Sequence, residues 1–163
     1  MLLKKFSSSS KRLGLIALFS IFMLNCEENI VNEPVGKTNE DLEEQIENLY
    51  YDWAMKSRLR DYQGMLAISV PRSSVEGMTN VCKSSWDEGA ELYYVYNSVK
   101  VYDLQETPPK AKIYGNWEMH QGRNTEVYSG GFNSSSWPTD GEFYGDNWKL
   151  DGISFGLEEN WWE

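Results

Sequence analysis

The chain has 163 residues, and 15 basic against 25 acidic side chains give it a net charge of −10. That balance argues against nucleic acid or anionic lipid as a direct partner, because both need a basic footprint. One histidine and two cysteines are too few for a zinc site and allow at most one intrachain disulfide.

Lys4, Lys5, Lys11 and Arg12 are the only charges in the first 25 residues, and residues 13–24 form an apolar run broken only by Gly14 and Ser20. A basic stretch followed by a short apolar one is the pattern of an export signal. Such a run reaches about 18 Å as a helix, short of the ~30 Å hydrocarbon core, so a signal is the better reading than a permanent span. The residues that close it, Met23-Leu24-Asn25-Cys26, resemble the bacterial lipobox. Asn25 stands where Gly, Ala or Ser is usual, and Met23 replaces Leu. The resemblance implies that Cys26 takes a diacylglycerol and becomes the acylated N-terminus once residues 1–25 are cleaved. The expected location is the bacterial cell envelope, with the domain outside the cytoplasm and held to a membrane through lipid on Cys26. Cleavage removes four basic and no acidic groups, leaving 11 against 25, near −14 over 138 residues. Cys82 would then have no disulfide partner within the chain.

Residues 26–37 comprise the lipidated cysteine and a polar stretch with Pro34 and Gly36, suited to a flexible tether. Thr38 and Asp41 have the spacing of a capping box. Behind them Leu42, Ile46, Leu49, Tyr50 and Trp53 recur at three- and four-residue steps and predict a first helix. Glu40, Glu43, Glu44 and Glu47 populate its outside and first turns, where negative charge suits the helix dipole. A second, short helix is predicted over 61–68, ended by Pro71. A third is predicted over 78–92, with Met78, Val81, Cys82, Trp86 and Leu92 on one side and Gly89 weakening its end. Cys82 on that stripe reads as a small buried hydrophobe.

From Tyr93 the period becomes two. Residues 93–104 are rich in Tyr and Val, a strand signature, and Thr107-Pro108-Pro109 is a break. Residues 110–120 alternate, with Ala111, Ile113, Gly115, Trp117 and Met119 on one face and Lys112, Tyr114, Asn116, Glu118 and His120 on the other. A turn at 121–124 leads to a return strand at 125–132, a polar loop at 133–147 and a last strand at 148–155; residues 158–163 are an unassigned tail. Helices followed by antiparallel strands make an α+β order, with one core built from residues 38–157. Trp53, Trp117 and Met119 are expected between helices and sheet. Tyr94, Tyr96 and Tyr114 are expected on the outer sheet face, where aromatic groups suit a partner.

Two patches resemble the NTF2-like superfamily, which includes SnoaL-like and ketosteroid-isomerase-like proteins. One is the first helix running through Trp53 into Arg60-Asp61-Tyr62-Gln63-Gly64-Met65-Leu66-Ala67-Ile68, similar to the family's Asp-x-x-Gly segment. The other is residues 111–117 followed by Trp148-Lys149-Leu150-Asp151-Gly152-Ile153, similar to its final strand. The resemblance covers residues 39–156. It implies a cone in which N-terminal helices pack on a curved antiparallel sheet and enclose a pocket, for which Tyr50, Trp53, Trp86, Trp117 and Met119 are the lining candidates. In that family the pocket binds small apolar ligands or performs catalysis, and other members are interaction or dimerisation modules.

Asp61 and Glu76 are the acid/base candidates. An isomerase-like reading places the family's proton-sharing Tyr on Trp53, whose indole is a donor only, and its carboxylate base at Gly77, beside Glu76. His120, beside a turn and facing away from Trp117, reads as a surface histidine. Asn133, Asp140, Glu142 and Asp146 do not have calcium-loop spacing and read as a solvated loop. No catalytic residue, metal or cofactor is assigned. The expected function is a non-enzymatic domain that binds a small apolar ligand or an envelope protein. The alternatives are a SnoaL-like isomerase, dehydratase or hydrolase using a pocket carboxylate, and a structural homodimer joined through the outer sheet face. A pocket filled by Trp53 and Trp117 would leave the protein-binding form.

Overall fold

The computed structural model describes residues 37–122 and 126–158. Its contacts divide the chain into Met1–Val35 and Gly36–Glu163, and every described residue belongs to the second unit. Cys26, the apolar run before it and most of the tether lie outside the described residues, as do 159–163 of the tail. Among the described residues no helix is long and apolar enough to cross a membrane.

Helix α1 (Asn39–Leu59) starts as its capping box requires: Thr38 Oγ1 accepts from the Asp41 N–H at 3.2 Å, and the Asp41 carboxylate accepts from the Thr38 N–H at 2.9 Å. Those bonds hold the Asp41 carboxyl below its usual range, the Thr38 backbone donor contributing most. Leu42, Ile46, Tyr50 and Trp53 are buried as the helical stripe predicts, and Leu49 packs half-buried beside them. The helix ends at Arg60, whose φ of 59° is left-handed. Helix α2 (Tyr62–Ala67) follows at once.

Helix α3 spans Ser74–Asp87, four residues earlier at its start than its apolar pattern suggests. Ser73 supplies the reason, since its hydroxyl caps the Glu76 N–H at 3.1 Å. At the other end Gly89 turns left-handed at φ 78° and Leu92 passes into the sheet. The buried side is Val75, Thr79 and Cys82, whereas Val81 is 55 % exposed.

The strands β1 (Leu92–Glu106), β2 (Pro109–Gln121), β3 (Glu126–Pro138) and β4 (Trp148–Phe155) form one antiparallel meander in that order. Thr107 and Pro108, joined by a cis peptide, make the turn between β1 and β2. Register shifts at Tyr96/Ser98 and Val101/Asp103 bend β1. The alternation of β2 is as expected, with Ala111, Ile113 and Trp117 buried against the helices.

Two expectations are corrected. Tyr94 and Tyr96 face inward, at 7 % and 5 % exposure, because β1 pairs them with Met119 and Trp117, and residues opposite each other share a face. Tyr114 does face outward, its ring 5.5 Å from that of Tyr102. The expected loop at 133–147 is strand as far as Pro138, with Ser134 and Ser136 buried in the core.

Candidate functional site

The space between α1 and the sheet is occupied by aromatic rings. Tyr50 stacks on Phe132 at 5.8 Å and meets Tyr96 edge-on at the same distance. Trp53 lies 5.3 Å from Tyr94, and Trp117 lies 4.7 Å from Phe155. The polar handles of Tyr50, Trp53 and Trp117 are used, as buried aromatic donors require. Tyr50 Oη is 2.7 Å from Ser134 Oγ and 3.2 Å from Ser136 Oγ. Trp53 Nε1 donates to Thr79 Oγ1 at 3.1 Å, and Trp117 Nε1 donates to the Gly131 and Gly156 carbonyls at 3.0 and 3.2 Å. Burial pushes the Tyr50, Tyr94 and Tyr96 phenols far up and the Cys82 thiol to about 12, so all four stay protonated at neutral pH.

Tyr50, Trp53 and Trp117, expected to line a pocket, are therefore core residues that fill the interior. Met119 packs half-buried against the same core. Trp86 also packs half-buried against the core, and donates through Nε1 to the Leu92 carbonyl at 2.8 Å. It lines a surface groove of about 270 Å³ with Arg58, Arg60, Glu91 and Tyr93.

The two carboxylates expected as acid or base serve helix starts. Asp61 is exposed and accepts from the Gly64 N–H at 2.9 Å, and a Cβ on Gly64 would stand 2.0 Å from Asp61 Oδ2. The Asp-x-x-Gly pattern is thus a cap with its carboxylate folded over a glycine. Glu76, half-buried in the first turn of α3, reaches back to accept from the Arg72 N–H, where the chain turns at φ 64°. His120 lies on the outer face as expected, but half-buried. Its ring stacks on Tyr93 at 4.5 Å and its Nε2 is 3.2 Å from Glu118 Oε2. Asp140 accepts from the Glu142 N–H and from Asn147 Nδ2, Asp146 pairs with Lys37, and Asn133 belongs to β3. Among the described residues no group of His, Cys, Asp and Glu is arranged to hold a metal.

The outer sheet face carries two polar grooves that reading the sequence missed. One, of about 440 Å³, runs over β2, β3 and β4 and is lined by Lys110, Lys112, Asn133, Ser135 and Ser154. The other, of about 330 Å³, is lined by Asn97, Asn116, Glu118 and Ser129 together with Leu157. Beside the first, Lys110 Nζ sits 4.6 Å from the centre of the Trp137 ring, whose Nε1 donates to Asp151 at 2.8 Å. The available signal was a period of two continuing through Asn133, Ser135 and Trp137, hidden by the serines between them.

No family model matches the sequence, and no curated protein matches it. Solved structures do share its architecture. The intermembrane space region of the chloroplast protein ARC6 superposes with a TM-score of 0.51 at 10 % identity, over 71 % of this chain and 96 % of that one. Aln2 from a Streptomyces species gives 0.51 at 10 % identity, over 74 % and 93 %. An NTF2-like protein of unknown function from Prochlorococcus gives 0.50 at 14 % identity, over 72 % and 93 %. At these identities the likeness concerns the fold, and fold does not carry function with it. Three helices followed by a four-stranded antiparallel meander, superposing on these structures, give this chain an α+β fold of the NTF2-like kind.

Proposed function

We propose that this chain is a lipid-anchored protein of the bacterial cell envelope whose NTF2-like domain is a non-catalytic binding module acting through its surface. The observation that carries the reading is the filled interior: Tyr50, Trp53, Phe132 and Trp117 occupy the space in which a ligand would have to sit. That arrangement favours a surface partner over a small apolar ligand. The enzyme reading has less support, because Asp61 and Glu76 are engaged in capping backbone N–H groups. The anchor rests on the lipobox-like Met23-Leu24-Asn25-Cys26 after a basic and apolar leader, followed by a polar tether. Several acyl chains at about 0.8 kcal/mol per buried methylene hold a protein stably, where one chain is marginal.

Membrane fractionation of the Cys26→Ser variant tests the anchor. The expected outcome is transfer from the membrane to the soluble fraction, with loss of the lipid mass from the N-terminal peptide; a variant that stays with the membrane refutes it. The filled interior is tested by mass spectrometry of an organic extract of the purified chain. A one-to-one apolar compound in that extract would refute the surface reading.

A further inference from the structure

We propose that the edge of β3 left open beyond the end of β4, residues 126–130, is paired by the chain's own residues 159–162, added as a short antiparallel strand. The pairing goes beyond the binding role proposed above and does not rest on it.

A sheet edge with unpaired N–H and C=O groups is a template for another strand. The fold already engages the edges along β1 and β4. On β1, the Tyr94 N–H donates to Ser57 Oγ at 3.0 Å and the Val101 N–H donates to Glu47 Oε1 at 3.3 Å, both acceptors on α1. On β4, the Leu150 N–H donates to the Ile68 carbonyl at 2.9 Å, and the Leu150 carbonyl accepts from the Val70 N–H at 2.7 Å. The Ile153 N–H donates to Ser74 Oγ at 2.8 Å. Strand β3 differs because it outruns its neighbour. β4 pairs with it only from Phe132 to Pro138, whereas β2 pairs with it as far as Glu126. Among the described residues, 126–130 thus have a paired strand on one side alone.

Gly131 shows which backbone groups face the gap. Its N–H donates to the Glu158 carbonyl at 3.0 Å, and its carbonyl accepts from the Gly156 N–H at 2.9 Å. Alternate residues of an antiparallel strand turn their backbone groups to the same side. Ser129 and Val127 therefore direct theirs toward the gap. The side chains there are open as well, with Val127 52 % exposed, Tyr128 41 % and Leu157 77 %.

The occupant follows from continuity and register. Glu158 is bonded to Gly131, so the residues after it start at the edge they would fill. A segment tethered there meets that edge at a high effective concentration, which a separate strand would have to match. Counting on from the Gly131–Glu158 bond, antiparallel pairing sets Asn160 opposite Ser129, Trp161 opposite Tyr128 and Trp162 opposite Val127. Opposed residues share a face. Trp161 therefore extends the inner row Tyr94–Met119–Tyr128, and Trp162 extends the outer row Tyr93–His120–Val127. Each indole lies beside an exposed apolar or aromatic neighbour, the kind of cross-strand pair that stabilises a sheet. The next pair would be Glu163 with Glu126, two like charges, so the added strand stops at Trp162.

Amide hydrogen exchange of the full chain in detergent, read by NMR, tests the pairing. The Val127 and Ser129 amides should be protected, and the Asn160 and Trp162 amides with them. Cross-relaxation should connect the Trp161 and Tyr128 rings. Asn160→Pro removes the N–H that would donate to the Ser129 carbonyl. In that variant Val127 and Ser129 should exchange at least about tenfold faster, while Ile113, paired on both sides, keeps its rate. Unprotected Val127 and Ser129 amides in the unaltered chain overturn the inference, whether or not the variant folds. Protection that survives Asn160→Pro overturns it too, and assigns the edge to another strand. Protection lost on dilution does the same in favour of a second copy of the chain.

Discussion

A phenol buried at the centre of an aromatic cluster must place its hydroxyl, and Tyr50 places it between Ser134 and Ser136 of β3. Ser134 in turn donates to the Gly152 carbonyl at 2.7 Å, so the hydroxyls link α1 to both β3 and β4. Tyr50→Phe is expected to lower stability by about 1–2 kcal/mol in urea unfolding, since it takes from the buried Ser136 hydroxyl the partner it has in Tyr50, while Ser134 keeps the Gly152 carbonyl. Adding Ser136→Ala should recover part of that loss, because both partners are then apolar. The same residues mark where the sequence was hard to read. Asn133-Ser134-Ser135-Ser136 has loop composition, and its strand character comes from pairing with β2 and β4 on either side, with Tyr50, 84 residues from Ser134, taking up its buried hydroxyls. Asp61 and Glu76, the acid/base candidates, accept backbone N–H groups at the starts of α2 and α3.

Elements with local signals were the legible ones. Helix α1 announces itself through a capping box and an apolar stripe that coincide, and β2 through strict alternation. Strand β1 hid its phase because Tyr and Val fall at both odd and even positions, so only pairing with β2 decides that Tyr94 and Tyr96 go inward. Glycine settles the fit of those two strands. A Cβ on Gly115 would lie 2.0 Å from the Ser98 carbonyl oxygen and 2.6 Å from Phe132 Cε1, where β1 shifts register over β2. Backbone cannot yield as a flexible side chain can, so Gly115→Ala should cost at least about 2 kcal/mol. Calorimetry should show a lower Tm, with the far-UV spectrum of a folded chain retained below it.

For the whole molecule, the buried phenols and thiol set an alkaline limit. Cys82, Tyr50, Tyr94 and Tyr96 are neutral when protonated, and burial raises all four above their ordinary values of 9.0 for the thiol and 10.0 for the phenols. The folded state therefore holds these protons more tightly than the unfolded chain. Their contribution is complete below pH 9 and is lost as pH rises from the unfolded-state values toward the folded ones. Each group adds a slope of about 1.4 kcal/mol per pH unit within its window. Thermal unfolding should show Tm falling steeply above pH 9, with Cys82→Ala flattening the first part of the fall. A Tm independent of pH up to 11 would contradict the burial of these groups.

The division of the sheet into a packed side and an open side gives residue parity a meaning along each strand. On β2, odd-numbered residues belong to the core and even-numbered ones to the face with the polar grooves; on β3 the assignment is reversed. The core and the outer surface are thus written in alternate letters of the same segment. Changes at Lys112, Asn133 or Ser135 can alter the chemistry of the outer face without disturbing the ring cluster behind them, so the surface can vary while the scaffold stays fixed. The same arrangement makes a one-residue slip doubly harmful, because it would expose the core set and bury the polar set together.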